Sequence, residues 1–317
     1  MPLLFRPHRK TRHLSVLLLL LAGGCDRMQS ALKAPEGDPV WQGDSTLLAS
    51  KPNILFRVNR SAKGAQVIPI ATFGDKGFRQ LVLSDRGWRA LDLVSLKSGT
   101  SLTTVRGSDL TGNATIQRGM WEGAALDTLA GCRVLVPGPR ASILDGVELA
   151  ILGERPARPN SGALPDGVLA RTLETIPTLI APTNGVPLST IPRYRRQVFV
   201  VPTGATNQPT IVVIYDDPEI VSDTVPLYPP PRPRHFVVVL DKGIYGFKPS
   251  HTYTTLGNSK TPPRREFLGA IDTDGDGKAE LLFGIRDPRY PLVTMGLRFQ
   301  VDSWVDAFTY ERQRCHG

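Results

Sequence analysis

Short stretches of apolar residues, some alternating with polar ones, follow one another along the chain from about position 53. The first four lie at 54–58, 66–71, 78–83 and 88–93, with turn-forming residues between them. β-branched and aromatic residues in short runs of this kind are typical of β-strands joined by tight turns. The pattern therefore predicts a mainly β (α+β) fold built of antiparallel meanders and hairpins.

The same pattern continues through the rest of the chain, and 30 Gly and 28 Pro among 317 residues suit a turn-rich β protein. It predicts an N-terminal β-rich domain at 49–160, a helix and linker at 161–195, and a C-terminal β-rich domain at 196–317. The further predicted strands are 101–105, 114–117, 133–136, 147–152, 197–201, 210–215, 236–240, 266–271, 279–285, 293–300 and 304–310.

One segment shows helical periodicity. Apolar residues recur at spacings of three and four up to Ile176, and Asp166 lies where an N-cap would satisfy the first backbone amides. Pro177 and Pro182 lack the amide hydrogen that a helix interior needs. We therefore predict the one notable helix of the chain at about 166–177.

Two Asp-x-Gly sequences lie ten residues apart in the first β-rich region. The sequence DKGFR at 75–79 returns as DRGWR at 85–89. Glycine at the third position supplies the positive φ that a tight hairpin turn needs. We predict two successive hairpin turns, each followed by a strand that packs its aromatic residue, Phe78 or Trp88, in the core.

The first 24 residues have the layout of a secretory signal. Four basic residues precede an apolar run of about nine residues from Leu14 to Ala22, and Gly23 and Gly24 follow it. That run is too short to span a bilayer, which takes about 20 residues. We expect residues 1–24 to be cleaved as a signal peptide.

The sequence Leu-Ala-Gly-Gly-Cys that ends at Cys25 resembles the lipobox of bacterial lipoproteins. In that family the cysteine receives a diacylglyceryl group, cleavage occurs before it, and the new amine is often acylated. The resemblance implies that Cys25 carries acyl chains such as palmitate and that residues 25–48 tether the protein to a cell-envelope membrane. A secreted protein with a chance cysteine near its cleavage site is the alternative, and the choice of inner or outer membrane stays open.

Net charge argues against one class of partner. The chain carries 38 basic and 29 acidic residues, and removal of residues 1–24 leaves 34 basic ones, so the remaining excess is modest. No basic stripe is interleaved with aromatic residues, and we therefore expect no nucleic-acid partner. Anionic headgroups, or an envelope polymer or protein, match this charge better.

Cys132 and Cys315 are the only cysteines after Cys25. An oxidising envelope compartment favours a disulfide between them, with two separate thiols as the alternative. Closing a loop of that length stabilises a fold by about 4–5 kcal/mol in the chain-entropy description.

One acidic motif carries chemistry. Asp272, Asp274 and Asp276 alternate, Gly277 follows, and Glu280 closes the set. Calcium takes about six to eight oxygen ligands, and carboxylates at alternating positions of a tight loop converge on one point. Mg²⁺ suits the motif less, because it keeps its waters and demands octahedral geometry. The motif therefore predicts a Ca²⁺ site, and an acidic hairpin that binds nothing is the alternative.

The flanks of this motif distinguish two kinds of calcium loop. An EF-hand has glutamate at its twelfth position, where this chain has Phe283, and both flanks are apolar and strand-like. The segment instead resembles the calcium loops of FG-GAP and VCBS-type repeats, in which Asp-x-Asp-x-Asp-Gly-x-x-Asp/Glu lies between two strands. The motif is found once, so the resemblance does not extend to a propeller of repeated blades. It implies as metal ligands Asp272, Asp274, Asp276, the carbonyl of Lys278, and Glu280.

No catalytic motif is found. The histidines after the signal segment are His235 beside a proline-rich run, His251 in a predicted polar loop, and His316 next to the last residue. None of the three lies in a hydrolase or metalloprotease motif. The pair Asp216–Asp217 precedes a proline, and we interpret it as a strand-ending turn.

The function expected from the sequence is therefore that of a lipid-anchored cell-envelope protein, facing the periplasm or the exterior. In it, calcium stabilises a β-rich domain with a binding or structural role. An envelope hydrolase acting on polysaccharide or peptidoglycan, with a structural calcium, is the alternative, because acids scattered over strands form no motif.

Overall fold

The structure is a computed structural model of the 317-residue chain. It describes residues 47–61, 64–74, 77–81, 83–84, 87, 90–91, 95–117, 133–137, 147–184, 186, 188–217, 233–256, 263–286 and 292–312. The chain divides into two compact units. One comprises Met1–Lys51 with Val82–Lys97, and the other comprises Pro52–Leu81 with Ser98–Gly317.

Several sequence predictions lie outside the described residues. They are the signal peptide at 1–24, the lipidated cysteine Cys25, the disulfide cysteines Cys132 and Cys315, the turn aromatic Trp88, and residues 226–232 of the proline-rich run. Among the residues that the structure does describe, no helix is both long and apolar enough to cross a bilayer.

The fold is mainly β, as predicted, and the strands described below belong to the second unit. The strands of the first sheet are β1 (Asn53–Ser61), β2 (Gly64–Phe73), β3 (Arg79–Gln80), β4 (Ser101–Arg106), β5 (Asp109–Gln117), β6 (Arg133–Pro137) and β7 (Leu149–Leu152). Their order is β1-β7-β4-β5-β6-β2-β3, and β1 also pairs with β2. Six of the seven strands therefore close into an antiparallel ring, with β3 added at its edge.

Two four-stranded meanders follow in the chain. The first contains β8 (Arg195–Val201), β9 (Thr210–Asp216), β10 (Pro233–Gly243) and β11 (Gly246–Leu256). The second contains β12 (Arg264–Ile271), β13 (Glu280–Arg286), β14 (Leu292–Gln300) and β15 (Ser303–Arg312). In both sheets each strand pairs antiparallel with its neighbour in the sequence. The predicted boundary between 49–160 and 196–317 thus separates sheets that lie within one compact unit.

The second meander is buried on both faces. Residues such as Leu281, Phe283 and Leu297 pack against Val212 and Val237 of the first meander. The alternate residues of the same strands, which include Leu268 and Leu282, pack against Leu55, Ile70 and Val105 of the ring. Because successive side chains of a strand point to opposite faces, the near-continuous apolar runs of β12 and β13 suit this middle layer.

The helix is longer than the sequence predicts. Helix α1 (Val168–Asn184) includes Pro182 near its end and runs through Pro177, although an interior proline costs a helix about 3 kcal/mol. Ile176 and Ile180 are completely buried against β9 and β10, and each contributes about 1.5–3 kcal/mol by burial. Packing on both sides of the proline therefore outweighs its cost. The helix also begins later than predicted, because the carbonyl of Gly167, and not that of Asp166, accepts the first bond of the helix, from the amide of Arg171.

The predicted strand at 88–93 is wrong at Ala90 and Leu91, the residues of this range that the structure describes. Gly87, Ala90 and Leu91 are helical, and Ser84 Oγ accepts a hydrogen bond from the amide of Gly87 at 3.0 Å. A serine that bonds the amide three residues later is an N-cap, so Gly87 lies in the first turn of a helix. The first turn is confirmed: Gly77 has φ +71°, and its amide donates to the carbonyl of Gly74.

The predicted polar loop around His251 is also wrong, because His251 lies on strand β11. Its sequence is mostly polar and contains a proline, which hides a strand from pattern analysis. Pro249 lies where the register between β10 and β11 shifts, as expected for a proline in a sheet. The turn of this hairpin is at Ile244 and Tyr245, between the paired residues Gly243 and Gly246.

Candidate metal centre

The acidic motif forms the connection between β12 and β13. Ile271 at the end of β12 pairs with Glu280 at the start of β13, so the loop 272–279 is closed at its base by the sheet. We call loop 272–279 the metal loop. Gly275 and Gly277 within it have φ values of +74° and +83°, which favour glycine and let the loop curl on itself.

The three aspartates of the metal loop lie close together. One carboxylate oxygen from each of Asp272, Asp274 and Asp276 lies within 4.8 Å of the other two. Asp272 is buried, Asp274 is partly buried and Asp276 is exposed, so the cluster opens from the protein interior to the surface. This confirms the convergence expected from the alternating spacing.

Backbone amides of the loop hold these carboxylates in place. The amides of Gly275 and Gly277 donate to the two oxygens of Asp272, at 2.8 and 3.0 Å. The amide of Asp276 donates to Asp274 at 3.3 Å, and the amide of Lys278 donates to Asp276 at 2.7 Å. The aspartate side chains are therefore turned into the loop before any ion binds.

The spacing of the cluster suits a calcium ion. Oxygen ligands lie about 2.3–2.6 Å from Ca²⁺, so two ligands of one ion are at most about 5 Å apart. The 4.8 Å limit on the aspartate oxygens falls within that distance. A carboxylate oxygen has two lone pairs, so an oxygen that accepts an amide hydrogen bond still has one for a metal.

Glu280 is placed differently from the other four predicted ligands. Its Oε2 accepts hydrogen bonds from the amide and the hydroxyl of Thr273, at 3.1 and 2.7 Å, and its Oε1 accepts one from Nε of Arg298 at 3.1 Å. Glu280 is 1% exposed and is not part of the aspartate cluster. In this structure its carboxylate holds the two ends of the loop together.

Arg298 of β14 is a residue of this centre that sequence reasoning missed. Its guanidinium spans two acids, with NH2 2.9 Å from Oδ2 of Asp274 and Nε on Glu280. Gly77 of the β2–β3 turn lies against the same guanidinium, so closely that a methyl group on Gly77 would collide with it. No sequence motif could reveal Arg298, because strand pairing and not sequence distance brings it to the loop.

Burial and like charge act together on the acids. Burial raises the pKa of the Asp272 carboxyl, and the neighbouring carboxylates add to the rise while two amide hydrogen bonds lower it. Burial also raises the pKa of Glu280, against the opposing effects of hydrogen bonds from Thr273 and the charge of Arg298. A bound cation would favour the ionised forms and so offset the cost of gathering these acids.

The metal loop has a structural counterpart in the first meander. The β8–β9 connection lies between Val201 and Thr210, as the metal loop lies between Ile271 and Glu280. Val201 therefore corresponds to Ile271 and Thr210 to Glu280, each 70 positions earlier in the chain. The hydroxyls of Thr203 and Thr210 are 2.6 Å apart. This contact is the equivalent of the hydrogen bond between Thr273 and Glu280 in the second meander. The positions of the three clustered aspartates are occupied by Pro202, Gly204 and Thr206.

The two equivalent loops touch each other. The amide of Ala279 donates to the carbonyl of Thr203 at 2.7 Å, and a side chain on Gly204 would collide with the carbonyl oxygen of Gly277. Gly204, the counterpart of Asp274, also has φ +69°. An aspartate therefore does not fit at 204, and the loop without carboxylates serves as a support for the loop that has them.

A second polar site lies at the other end of the two meanders. A cleft of about 180 Å³ is lined by Arg195, Gln197, Ile214, Asp216, Asp217, Arg264, Arg265 and Glu266. Asp217 forms a buried ion pair with Arg234 at 2.8 Å, and Oδ1 of Asp216 lies 2.8 Å from Nδ1 of His235. The Asp216–Asp217 pair thus ends β9, as predicted, and both carboxylates are engaged with buried partners.

His235 has no free nitrogen for acid–base chemistry. Its Nε2 accepts a hydrogen bond from the amide of Arg265 at 2.9 Å, so Nδ1 carries the proton that is donated to Asp216. The ring is completely buried. A general base needs a lone pair within reach of a ligand, and both ring nitrogens of His235 are already used. The arrangement is that of a structural bridge between β9, β10 and β12.

The chain finds no match among protein-family models, curated proteins or solved structures. The metal loop is therefore the part of the described residues on which a function can be argued. Its chemistry is that of a hard, anionic oxygen site that would hold an ion by charge and geometry.

Proposed function

We propose that this protein is a lipid-anchored protein of the bacterial cell envelope in which Ca²⁺ fixes the β12–β13 hairpin, with a binding or structural role. The observation that carries the calcium part is the cluster of Asp272, Asp274 and Asp276, whose oxygens lie within 4.8 Å of one another. The anchor part rests on Cys25 and the segment before it.

The position of the metal loop supports a structural role for the ion. The loop joins two strands of the middle layer and touches the β8–β9 connection through Ala279 and Thr203. An ion held there would add a cross-link among the three aspartates to the hydrogen bonds that already hold the loop. Calcium in this proposal acts by ordering a surface beside which a partner binds, and it activates no water.

Arg298 has a defined part in this proposal. In the structure its guanidinium supplies one positive charge to Asp274 and Glu280. When Ca²⁺ binds Asp274, the ion takes over that neutralisation, and Arg298 keeps its bond to Glu280. The ligands proposed from this chain are the carboxylates of Asp272, Asp274 and Asp276 and the carbonyl of Lys278, with Glu280 as the residue that positions the loop.

Thermal unfolding of the full chain tests the calcium site, first with excess EDTA and then with a series of Ca²⁺ concentrations. An ion that binds only the native state stabilises it by RT ln(1 + [L]/Kd), about 2.7 kcal/mol at a hundredfold excess over Kd. We expect Tm to rise by several degrees with Ca²⁺ and much less with Mg²⁺. Asp274→Ala should abolish the rise.

The matched control is Asp302→Ala, which removes an exposed aspartate that is paired with Lys248 on a different turn. It should leave the calcium-induced rise in Tm intact. An unchanged rise in Asp274→Ala, or no rise in the parent chain, would overturn the calcium site. Mass spectrometry of the protein purified from a bacterial membrane tests the anchor separately, since a lipidated N-terminal cysteine at position 25 has a defined mass.

A further inference from the structure

The most exposed apolar side chains of the described residues lie at two neighbouring hairpin tips. Ile244, Tyr245 and Val301 are 91%, 101% and 98% exposed, whereas the next large apolar side chain, Leu188, is 50% exposed. Single exposed apolar residues are ordinary on a protein surface, but three on adjoining turns are not. We call Ile244, Tyr245 and Val301 the apolar tips.

The two tips occupy the same place in the two meanders. Gly243 pairs with Gly246 around Ile244 and Tyr245, and Gln300 pairs with Ser303 around Val301 and its neighbour. Each is a two-residue turn, and each has a β-branched apolar residue at its first position. The tips adjoin, because Nζ of Lys248 lies 3.3 Å from Oδ2 of Asp302.

Val301 is unfavourable at its turn for two reasons, its backbone conformation and its residue type. Its φ is +57°, in the left-handed region that a β-branched residue adopts only under strain. Two-residue hairpin turns favour Asn, Asp or Gly at such positions. An apolar, strained and fully exposed residue gains nothing from its own fold, which points to a contact outside the chain.

We propose that the apolar tips insert into an anionic lipid bilayer. Three side chains offer much less contact area than the about 800 Å² that a stable protein interface needs on each partner. A bilayer needs no matching surface from a partner. Two convex turns therefore suit a soft apolar phase better than a protein groove.

The charges and the aromatic residue beside the tips match the membrane interface. Lys242 and Lys248 flank the first tip, and Lys248 pairs with Asp302 of the second tip. The charged residues beside the tips therefore leave one net positive charge for lipid phosphates. Tyrosine has an apolar ring and a polar hydroxyl and prefers the level of the headgroups. Ile244 and Val301, which have no polar group on the side chain, would lie deeper than the hydroxyl of Tyr245.

This inference does not depend on the metal loop or on lipidation of Cys25. In a chain that is already anchored, a weak second contact gains strength from its high local concentration and fixes the orientation of the β-rich unit on the membrane. The test therefore uses the full chain with Cys25→Ser, which removes the lipid anchor. Failure of the anchor proposal and failure of this one are then separate results.

The experiment measures insertion at named positions. Tyr245→Trp places a fluorophore at the tip, and Val200→Trp places one at an exposed position of edge strand β8, 41% exposed. Both variants are mixed with vesicles of phosphatidylcholine and phosphatidylglycerol that carry brominated acyl chains. We expect Tyr245→Trp to show quenching and a blue shift beyond those of the parent chain with its four tryptophans. The Val200→Trp variant should show no added quenching.

Flotation with the same vesicles, without bromine, supplies the second readout. One variant removes all three apolar tips: Ile244→Ser, Tyr245→Ser, Val301→Gly. Its partition coefficient between vesicles and solution should be at least about tenfold lower than that of the parent. The matched control Leu179→Ser, Leu188→Ser, Val200→Ser removes three other exposed apolar side chains and should change it less than about twofold. Circular dichroism confirms that both variants are folded.

Two results would overturn the proposal. Equal quenching in the variants at positions 245 and 200 would show that the tips do not insert. Self-association of the parent that is lost in the tip variant, with no tip-dependent quenching, would show that a second copy of the chain covers the tips instead.

Discussion

The hydroxyl of Thr273 donates to Oε2 of Glu280 at 2.7 Å and so joins the two ends of the metal loop beneath its aspartates. The amide of Thr273 donates to the same oxygen, and both residues are buried. In the first meander, Thr203 and Thr210 form the corresponding contact around a loop without carboxylates. Because this contact is also present in the loop without carboxylates, it stabilises the loop itself. The three aspartates of the metal loop are not needed for it.

The first prediction separates the supporting role of Glu280 from a role as ligand. In Glu280→Gln, the amide oxygen still accepts from Thr273, but the charge that pairs with Arg298 is lost. We expect the free energy of unfolding in EDTA to fall by about 1–3 kcal/mol, while the affinity for Ca²⁺ falls by only a few fold. Urea unfolding and calorimetric titration with Ca²⁺ measure the two quantities.

The control for this variant is Glu174→Gln, an exposed position on α1. It should change neither quantity. If Glu280→Gln lowers calcium affinity as far as Asp274→Ala does, Glu280 is a ligand, as the resemblance to FG-GAP loops implies, and the supporting role proposed here is wrong.

The second prediction concerns Arg298, whose guanidinium lies 2.9 Å from Asp274. Arg298→Gln removes a cation that competes with the metal for this carboxylate. An exposed or partly exposed ion pair is worth about 0.2–1 kcal/mol, so calcium affinity should rise by up to about fivefold. Stability in EDTA should fall, because Asp274 and Glu280 then face each other without a counter-charge.

Lys248→Gln is the matched control, since Lys248 pairs with Asp302 away from the metal loop. Its calcium affinity should equal that of the parent. Lower affinity in Arg298→Gln would contradict the competition and indicate that Arg298 holds Asp274 in its ligating position.

Local patterns were sufficient for most strands, since alternating and continuous apolar runs mark residues that face a core. They were insufficient where packing outweighs local preference. Helix α1 continues past Pro177 because Ile180 is buried, and β11 has too few apolar residues to be recognised. Both differences depend on partners that lie far away in the sequence.

The metal loop shows the same division. The spacing of Asp272, Asp274 and Asp276 predicted their convergence, because a tight loop between paired strands leaves little choice. The place of Glu280 and the presence of Arg298 depend on how β12, β13 and β14 pair, which no motif contains. The equivalence of the two meanders was hidden because only the hydroxyl of Thr203 and the loop length survive in the first copy.

The third prediction is a pH dependence at His251. Burial, and then the positive charge of Arg265, lower the pKa of His251, while its hydrogen bond with the backbone of Trp304 and the negative charge of Asp306 raise it. The Nε2 of His251 lies 3.3 Å from a guanidinium nitrogen of Arg265, and Nδ1 lies 3.3 Å from the carbonyl oxygen of Trp304.

The sign of the effect follows from linkage. An unfolded chain protonates this histidine near pH 6.5, whereas the folded protein does so only at a lower pH, so below about pH 6.5 the unfolded state binds more protons. The free energy of unfolding should therefore fall as the pH drops from 7 to 5, by at most about 1.4 kcal/mol for each pH unit from this group. His251→Gln should show a smaller fall in urea unfolding over that range. An identical pH profile in the variant would contradict the assignment.

The fourth prediction concerns Asp241, the buried acid of the first meander. It is 2% exposed and accepts hydrogen bonds from Thr210 at 2.6 Å, Ser250 at 2.5 Å and the indole nitrogen of Trp304 at 2.6 Å. The three donors come from β9, β11 and β15, so one carboxylate joins the two meanders. Asparagine at this position offers one oxygen and turns an NH₂ group toward a donor.

We therefore expect Asp241→Asn to lower the free energy of unfolding by about 2–4 kcal/mol, since a buried donor is left without an acceptor and the charge-assisted bonds are lost. Trp304→Phe removes a single hydrogen-bond donor and some buried surface. The loss in hydrogen bonding should be smaller than in Asp241→Asn, and the calorimetric transition should remain cooperative. Asp302→Asn, at an exposed aspartate, is the control and should stay within about 0.5 kcal/mol of the parent. If Asp241→Asn is as stable as that control, the three-donor carboxylate is not what joins the two meanders, and their shared apolar core alone must do so.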